Sequence, residues 1–239
     1  FLDADETVAN GLINNSIHRM KLRGLSLLTL FTNQVMLTLG ERMVVPLMHF
    51  MLLNLLPLRL VSLSKSPAFS AASGQFMLFD ADNYKKNQWH KQVKNRVVED
   101  IEIMKLVKGF GYKGEALLAN GFIFCRMYTN LEEAMNGFGK NLLAGFNNSV
   151  PGLFLYIFLV ILGPIAMFGI LSTELLLFAL SLIFLSRVMI SLMAGQKIWP
   201  NILLHPLQLF CLVIIAVISV KRFFTKTIVW KGRNIRNGA

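Results

Sequence analysis

Apolar and polar positions divide the chain into a first part where the pattern changes every few residues and a second where it hardly changes. Up to about residue 148, short apolar runs alternate with helix-periodic polar stretches; beyond it come three long apolar runs. Phe1 and Leu2 read as the end of a buried strand that releases Asp3, Ala4 and Asp5 into a loop. Residues 7–22 follow as a helix, and Leu25–Phe31 as a strand closing at Thr32 and Asn33, one β-α-β-like step of an α/β sheet. The apolar stretch 44–63 is long enough to span a bilayer, but Pro46, Pro57 and Arg59 interrupt it. An interfacial or re-entrant segment fits it at least as well as a crossing.

Ser64–Gly74 is a small-residue loop leading into a strand, Gln75–Phe79, and a helix over 84–98 follows with Asp82 as its N-cap. In the next helix Ile101, Met104 and Val107 share one face, Glu99 and Asp100 stand at the N-terminus, and Gly109 and Gly111 form the stop. Two short strands come after it. Thr129 with Glu132 reads as a capping box for a helix carrying Leu131, Met135, Phe138 and Leu142. The runs at about 150–171, 174–193 and 202–220 read as transmembrane helices, and Arg187 inside the second must face protein, water or a lipid headgroup. The tail from Lys221 is basic without an acid, which argues for a cytoplasmic end. Three full crossings from a cytoplasmic residue 148 would instead leave it outside, and the sequence leaves open whether one run is re-entrant.

Composition agrees with a membrane protein. With 54% hydrophobic and 15% charged residues and a mean hydropathy of +0.55, the chain is too apolar for an ordinary soluble domain. The net charge of +11 is concentrated beyond residue 148, flanking apolar runs instead of forming a basic face with interleaved aromatics, so it reads as a topology signal and not as a nucleic-acid footprint. Cys125 in a strand and Cys211 in an apolar run support neither a disulfide framework nor a zinc site.

Candidate chemistry lies in the acids. Asp3 and Asp5 have the alternate spacing at which two carboxylates share a divalent cation, and Asp80 with Asp82 is a rival pair in which Asp82 already has a capping role. Glu99 and Asp100 are explained by the helix dipole alone, at roughly 0.3–1 kcal/mol, until the rest of the block is considered. Arg126 precedes the next helix and Lys140 lies on it, so acid, base and cation fall on neighbouring elements. His90, beside Trp89, is a surface or packing residue before it is a base, and at most an acceptor-side contact.

FLDADE, GQFMLFDADNY, VVEDIEIMKLVKGFGYKGEALLANGF, RMYTNLEEAMNGFGKN, LLHPLQ and WKGR together resemble the second half of a membrane-bound family 2 glycosyltransferase, nearest the carotenoid- and hopanoid-associated branch. The resemblance implies an α/β fold: part of a GT-A catalytic domain over 1–148, followed by C-terminal transmembrane helices and a basic tail over 149–239. It implies a nucleotide-sugar donor, a hydroxyl or carboxyl acceptor on a lipid, Mg2+ or Mn2+ on Asp3 and Asp5, and Asp100 as base with Glu99 beside it. Arg126 and Lys140 match cations of that branch and, with Gln75 and His90, are the substrate-binding candidates; the catalytic part is placed on the cytoplasmic face of the cell membrane. The Q-x-x-R-W signature of processive relatives is absent, with RMY roughly in its place. The family's nucleotide-binding strands precede the aspartate pair, so the chain reads as the C-terminal part of a longer polypeptide that does not turn over alone. A non-enzymatic membrane protein, such as a transporter component or scaffold with these acids as helix caps, and a pseudoenzyme that has lost the metal remain open beside this reading.

Overall fold

The structure is a computed structural model that describes residues 1–94 and 96–227, with the backbone of 229–230 and 233–234. In chain order the elements are β1 (Glu6–Val8), α1 (Leu12–Arg23), β2 (Leu27–Phe31), β3 (Asn33–Gln34), α2 (Leu39–Val44), α3 (Pro46–Leu55), α4 (Arg59–Leu63) and β4 (Met77–Phe79). They continue with α5 (Ala81–Asn87), α6 (Trp89–Val93), α7 (Glu99–Gly109), β5 (Gly114–Leu118), β6 (Ile123–Cys125) and α8 (Leu131–Gly145). The chain then forms α9 (Val150–Ile170), α10 (Thr173–Met193), α11 (Ile198–Leu203), α12 (His205–Thr225) and a short hairpin of β7 (Val229–Trp230) and β8 (Arg233–Asn234). Two compact units emerge: Phe1–Val35 with Met51–Met127, and Met36–Phe50 with Tyr128–Arg236.

The first unit is mixed α/β. Its central strand β2, apolar except for Thr29, is buried along its whole length, as a strand flanked by helices requires. Leu27 and Phe31 point to one core with Trp89, Ile103, Met104 and Val107, whereas Leu28 and Leu30 point to the other with Leu12 and Met20. Helix α1 therefore covers one face, and α6 with α7 the other. β2 pairs parallel with β5 and antiparallel with β4. One residue beyond β2 the chain enters a second sheet, where β3 runs parallel to β6 and β1 antiparallel to it. Arg19 of α1 makes a two-pronged ion pair with buried Glu115 of β5, both contacts at 2.8 Å.

Several expected boundaries move. The helix expected over 7–22 starts only at Leu12, because residues 6–8 pair with β6 and Gly11, at φ 89°, turns the chain between strand and helix. Phe1 and Leu2, expected as the end of a buried strand, are exposed and make one isolated bridge, Leu2 to Phe76; the strand preceding α1 is instead β1, in a different sheet from β2. The helix expected over 84–98 is two helices, α5 and α6, broken where Gln88 takes a left-handed φ of 46°. That break turns Trp89 fully into the core, its ring 5.7 Å from Phe79 and 5.8 Å from Tyr112. The N-cap of α5 is Asp80, which accepts the Asn83 N–H at 3.0 Å, and not Asp82 in the first turn. At α8 the cap is likewise displaced: Asn130 accepts from Glu133 N–H at 2.9 Å, and Glu133 reaches back to the Thr129 N–H and hydroxyl at 2.9 and 2.8 Å.

The second unit is helical. Helices α9, α10 and α12, each of 21 residues, are long and apolar enough to cross a membrane. Only Leu153 and Tyr156 of α9, and Arg187, Ile190 and Ser191 of α10, are buried. The third apolar run starts later than its hydropathy suggests: α11 is separate, and α12 opens at His205 with Pro206 in its first turn. Helix α12 packs on α8 with little space to spare, since a Cβ on Gly139 would come within 2.7 Å of Ile218.

Candidate functional site

The acid-bearing segments of the first unit are assembled around residues 73–77. Thr29 of β2 holds Ser73 through two bonds, its hydroxyl donating to the Ser73 carbonyl at 2.8 Å and accepting the Ser73 N–H at 2.9 Å. Gln75 is buried, and its side-chain oxygen accepts the Thr32 hydroxyl at 2.8 Å. With this segment fixed to β2, the opening residues run antiparallel to it: Leu2 bridges Phe76, Met77 N–H donates to the Phe1 carbonyl at 3.0 Å, and Asp3 N–H donates to the Gln75 carbonyl at 3.2 Å.

Asp100 arrives from the other side. Standing in the first turn of α7, its carboxylate accepts the Gly74 N–H at 3.0 Å and the Ile101 N–H at 2.8 Å. The backbone of Asp3 and the carboxylate of Asp100 thus attach to neighbouring residues, Gln75 and Gly74. Crowding dominates the electrostatics: burial raises Asp100 to about 6, against the pull of the Ile101 and Gly74 hydrogen bonds and with a small contribution from the Glu99 charge.

Asp5 leads into β1, whose register sets Glu6 opposite Cys125 of β6. One ligand atom from each of Asp5, Glu6 and Cys125 lies within 4.8 Å of the others. Both Glu6 oxygens are buried without a normal-length hydrogen bond, and Glu6 is raised to about 7, chiefly by burial and further by Asp5 and Asp3, although the adjacent Cys125 thiol pulls it down. The Cys125 thiol is pushed up strongly, first by burial and then by Glu6 and Asp5. Two carboxylates that repel one another, one with orphaned oxygens, fit a hard divalent cation; a thiol so far from ionisation does not fit a soft one.

The other expected residues are distributed unevenly. Asp5 is in this cluster, and the Asp3 charge is felt by Glu6. Arg126 is exposed one residue beyond Cys125, and half-buried Glu99 precedes Asp100. Gln75 directs its side chain into the buried network with Thr32. His90 sits near the same edge, its Nδ1 3.0 Å from the Tyr84 hydroxyl and its ring 4.6 Å from that of Phe1. Lys140 belongs to the second unit, half-buried on α8. Asp80 is committed to capping α5. Sequence reasoning missed Glu6, Cys125 and Gly74. Glu6 directly continues the acidic run, but nothing in the sequence marks Cys125 as its neighbour.

Comparisons with protein-family models, curated proteins and solved structures returned no significant match for the chain.

Proposed function

We propose that the chain carries the catalytic centre of a membrane glycosyltransferase, with a GT-A-type first unit that transfers a sugar from a nucleotide sugar to a hydroxyl or carboxyl of a lipid. The observation that carries this reading is the attachment of Asp3 and Asp100 to adjacent residues, which puts an acid-rich loop and a lone carboxylate along one short segment. Displacement at a sugar carbon asks for the leaving diphosphate to be neutralised on one side and the attacking oxygen deprotonated on the other, within one sugar's width.

Asp100 suits the second task. A carboxylate raised to about 6 is ionised near neutral pH yet more basic than an ordinary aspartate, the balance a general base needs. In the transfer the acceptor oxygen bonds the sugar carbon, the bond to the diphosphate breaks, and the proton of a hydroxyl acceptor passes to Asp100. An acceptor carboxylate would need no such base. Gly74 and Ile101 hold the Asp100 oxygens in place. Gln75 acts as a positioning residue, and Arg126 supplies a cation at the end of β6.

Asp5 and Glu6, with Asp3 nearby, would hold Mg2+ or Mn2+, which when bound offsets the diphosphate charge. Glu6 thereby joins the expected pair Asp3 and Asp5 as a candidate donor. Roles for Glu99 beside the base and for Lys140 rest on the resemblance, and His90 is placed at the acceptor as a contact. The apolar helices anchor the protein in the membrane, with the catalytic part on the cytoplasmic face of the cell membrane in this reading.

The test is release of nucleoside diphosphate from a panel of nucleotide sugars by the full-length protein in lipid nanodiscs, with and without Mn2+. Metal-dependent release that Asp100→Asn eliminates supports the proposal. A protein that binds no nucleotide sugar at any metal concentration is the scaffold instead.

A further inference from the structure

The second unit buries a cation for which the described residues provide no anion. Arg187, six residues before the end of α10, is 2% exposed. Its Nη2 donates to the Asn201 carbonyl at 3.3 Å and to the Gln208 side-chain oxygen, and the Phe50 ring centroid lies 4.7 Å from its Cζ. Its Nε and Nη1 are buried with no hydrogen-bond partner. Among the described residues no carboxylate pairs with it.

Asn201, Gln196, Ser191 and Gln208 beside it are neutral and bonded to one another or to backbone, and the Tyr156 and His205 side chains also lie within its field. Asn201 donates to Gln196 at 2.8 Å and to Ser191 at 2.9 Å, and Gln208 donates to the Arg42 carbonyl at 2.9 Å. Such a shell orients a guanidinium and leaves its charge uncompensated. A buried cation without a counter-charge is a costly arrangement, and an ionisable residue within a membrane helix marks a functional site by default.

Its depth identifies the missing anion. Six residues of helix are on the order of 9 Å, so the guanidinium is close to the end of α10. Gln208 is in the first turn of α12, and α11 joins the two. Lipid headgroups lie at the ends of membrane helices, and Met193, Trp199, Leu203 and Leu207 offer exposed apolar surface for acyl chains at the same end.

We propose that Arg187, held by Gln208, binds the phosphate of an anionic membrane lipid. Guanidinium and phosphate make charge-assisted hydrogen bonds that an ammonium cannot reproduce in geometry. Both free nitrogens are sealed in this conformation, so the headgroup enters by displacing the α11 connector. The proposal stands independently of glycosyl transfer.

The experiment uses the full chain, delipidated in detergent, with phosphatidylglycerol, phosphatidylcholine or inorganic phosphate added at constant ionic strength. Native mass spectrometry and thermal unfolding are the readouts. Expected are one retained phosphatidylglycerol per chain and a saturable rise in Tm that phosphatidylcholine does not give. Arg187→Gln should lose both; should it fail to fold, Arg187→Lys, which keeps the charge, should bind at least roughly tenfold more weakly. Equal retention by wild type and either folded variant, or no retention by wild type, overturns the site. An equal Tm rise with inorganic phosphate overturns the lipid assignment.

Discussion

The Gly74 N–H donates to the Asp100 carboxylate at 3.0 Å, fixing the first turn of α7 to the residue before Gln75, where Asp3 is attached. The same packing that holds Asp100 lifts it from 3.8 to about 6. A carboxyl raised in the folded state stabilises the fold fully only below its unfolded value. That contribution is lost as pH climbs through about 6. Gly74 and Ile101 donate to different Asp100 oxygens, so Asp100→Asn keeps one of the two bonds, sets its NH2 against the other N–H, and carries no charge. Its stability should no longer fall as pH rises from 3.8 to about 6, while turnover onto a hydroxyl acceptor falls by roughly 10²–10⁴-fold with donor binding intact. Thermal unfolding and turnover on the same preparation check both. A variant that keeps the wild-type pH dependence of stability and full turnover makes Asp100 an ordinary helix N-terminal acid.

Glu6 follows the same sign in a different window. Raised from 4.5 to about 7 by burial first, it should make the protein lose stability as pH rises across that interval. Glu6→Gln should flatten this segment of the stability profile. Mn2+ should raise the Tm of the wild type most above pH 7, where Glu6 is ionised, and raise it far less in Glu6→Gln and Asp5→Asn. An equal Mn2+ response in all three proteins would remove the cation from this cluster.

How much could be read in advance follows from the range of the interactions. Leu27–Phe31 and the runs that became α9 and α10 are specified by residues next to one another, and the sequence shows them directly. Glu99 and Asp100 at the start of α7 were equally visible, because Gly111 at φ 80° marks the far end of that helix. The pairing of Glu6 with Cys125 joins distant strands through register alone, which no local pattern encodes. Gln88 adopts its left-handed turn for the sake of Trp89, a tertiary demand. The Asn130 cap lay one residue from the expected Thr129 because both residue types cap well.

The Arg19–Glu115 pair ties α1 to β5 with two bonds of 2.8 Å, and Glu115 has only 6% of its side chain exposed. Removing the cation leaves that carboxylate buried alone. Arg19→Gln should cost about 1–3 kcal/mol, below the figure for a fully buried pair because Arg19 remains partly in water. Adding Glu115→Gln should restore part of the loss in a thermal or denaturant titration. A double variant no better than Arg19→Gln alone would mean that packing, not charge, is lost.

The basic tail poses a topological problem that an interfacial α12 would resolve. Along its length α12 is attached to helices carrying charged residues: Gln208 to the Arg42 carbonyl of α2 at 2.9 Å, Ser219 to Leu143 of α8 at 3.0 Å, and Arg222 to Asn136 of α8 at 2.7 and 2.8 Å. Its opposite face is an exposed stripe of Leu207, Phe210, Ile214, Val217 and Phe224. Docked on α2 and α8, which carry charged residues, α12 is predicted to lie in the membrane interface with its apolar face toward lipid, whereas α9 and α10 are exposed over most of their lengths and suit a crossing hairpin. Two crossings return the chain to its starting side, so Lys226 should share a side with Glu133 of α8, and Ser172, between α9 and α10, should be opposite. Single cysteines at these three exposed or loop positions, treated with a membrane-impermeant maleimide in sealed vesicles, should label Glu133→Cys and Lys226→Cys together and Ser172→Cys only from the other face. Labelling of Lys226→Cys with Ser172→Cys would show instead that α12 crosses, and would leave its contacts with α2 and α8 unexplained.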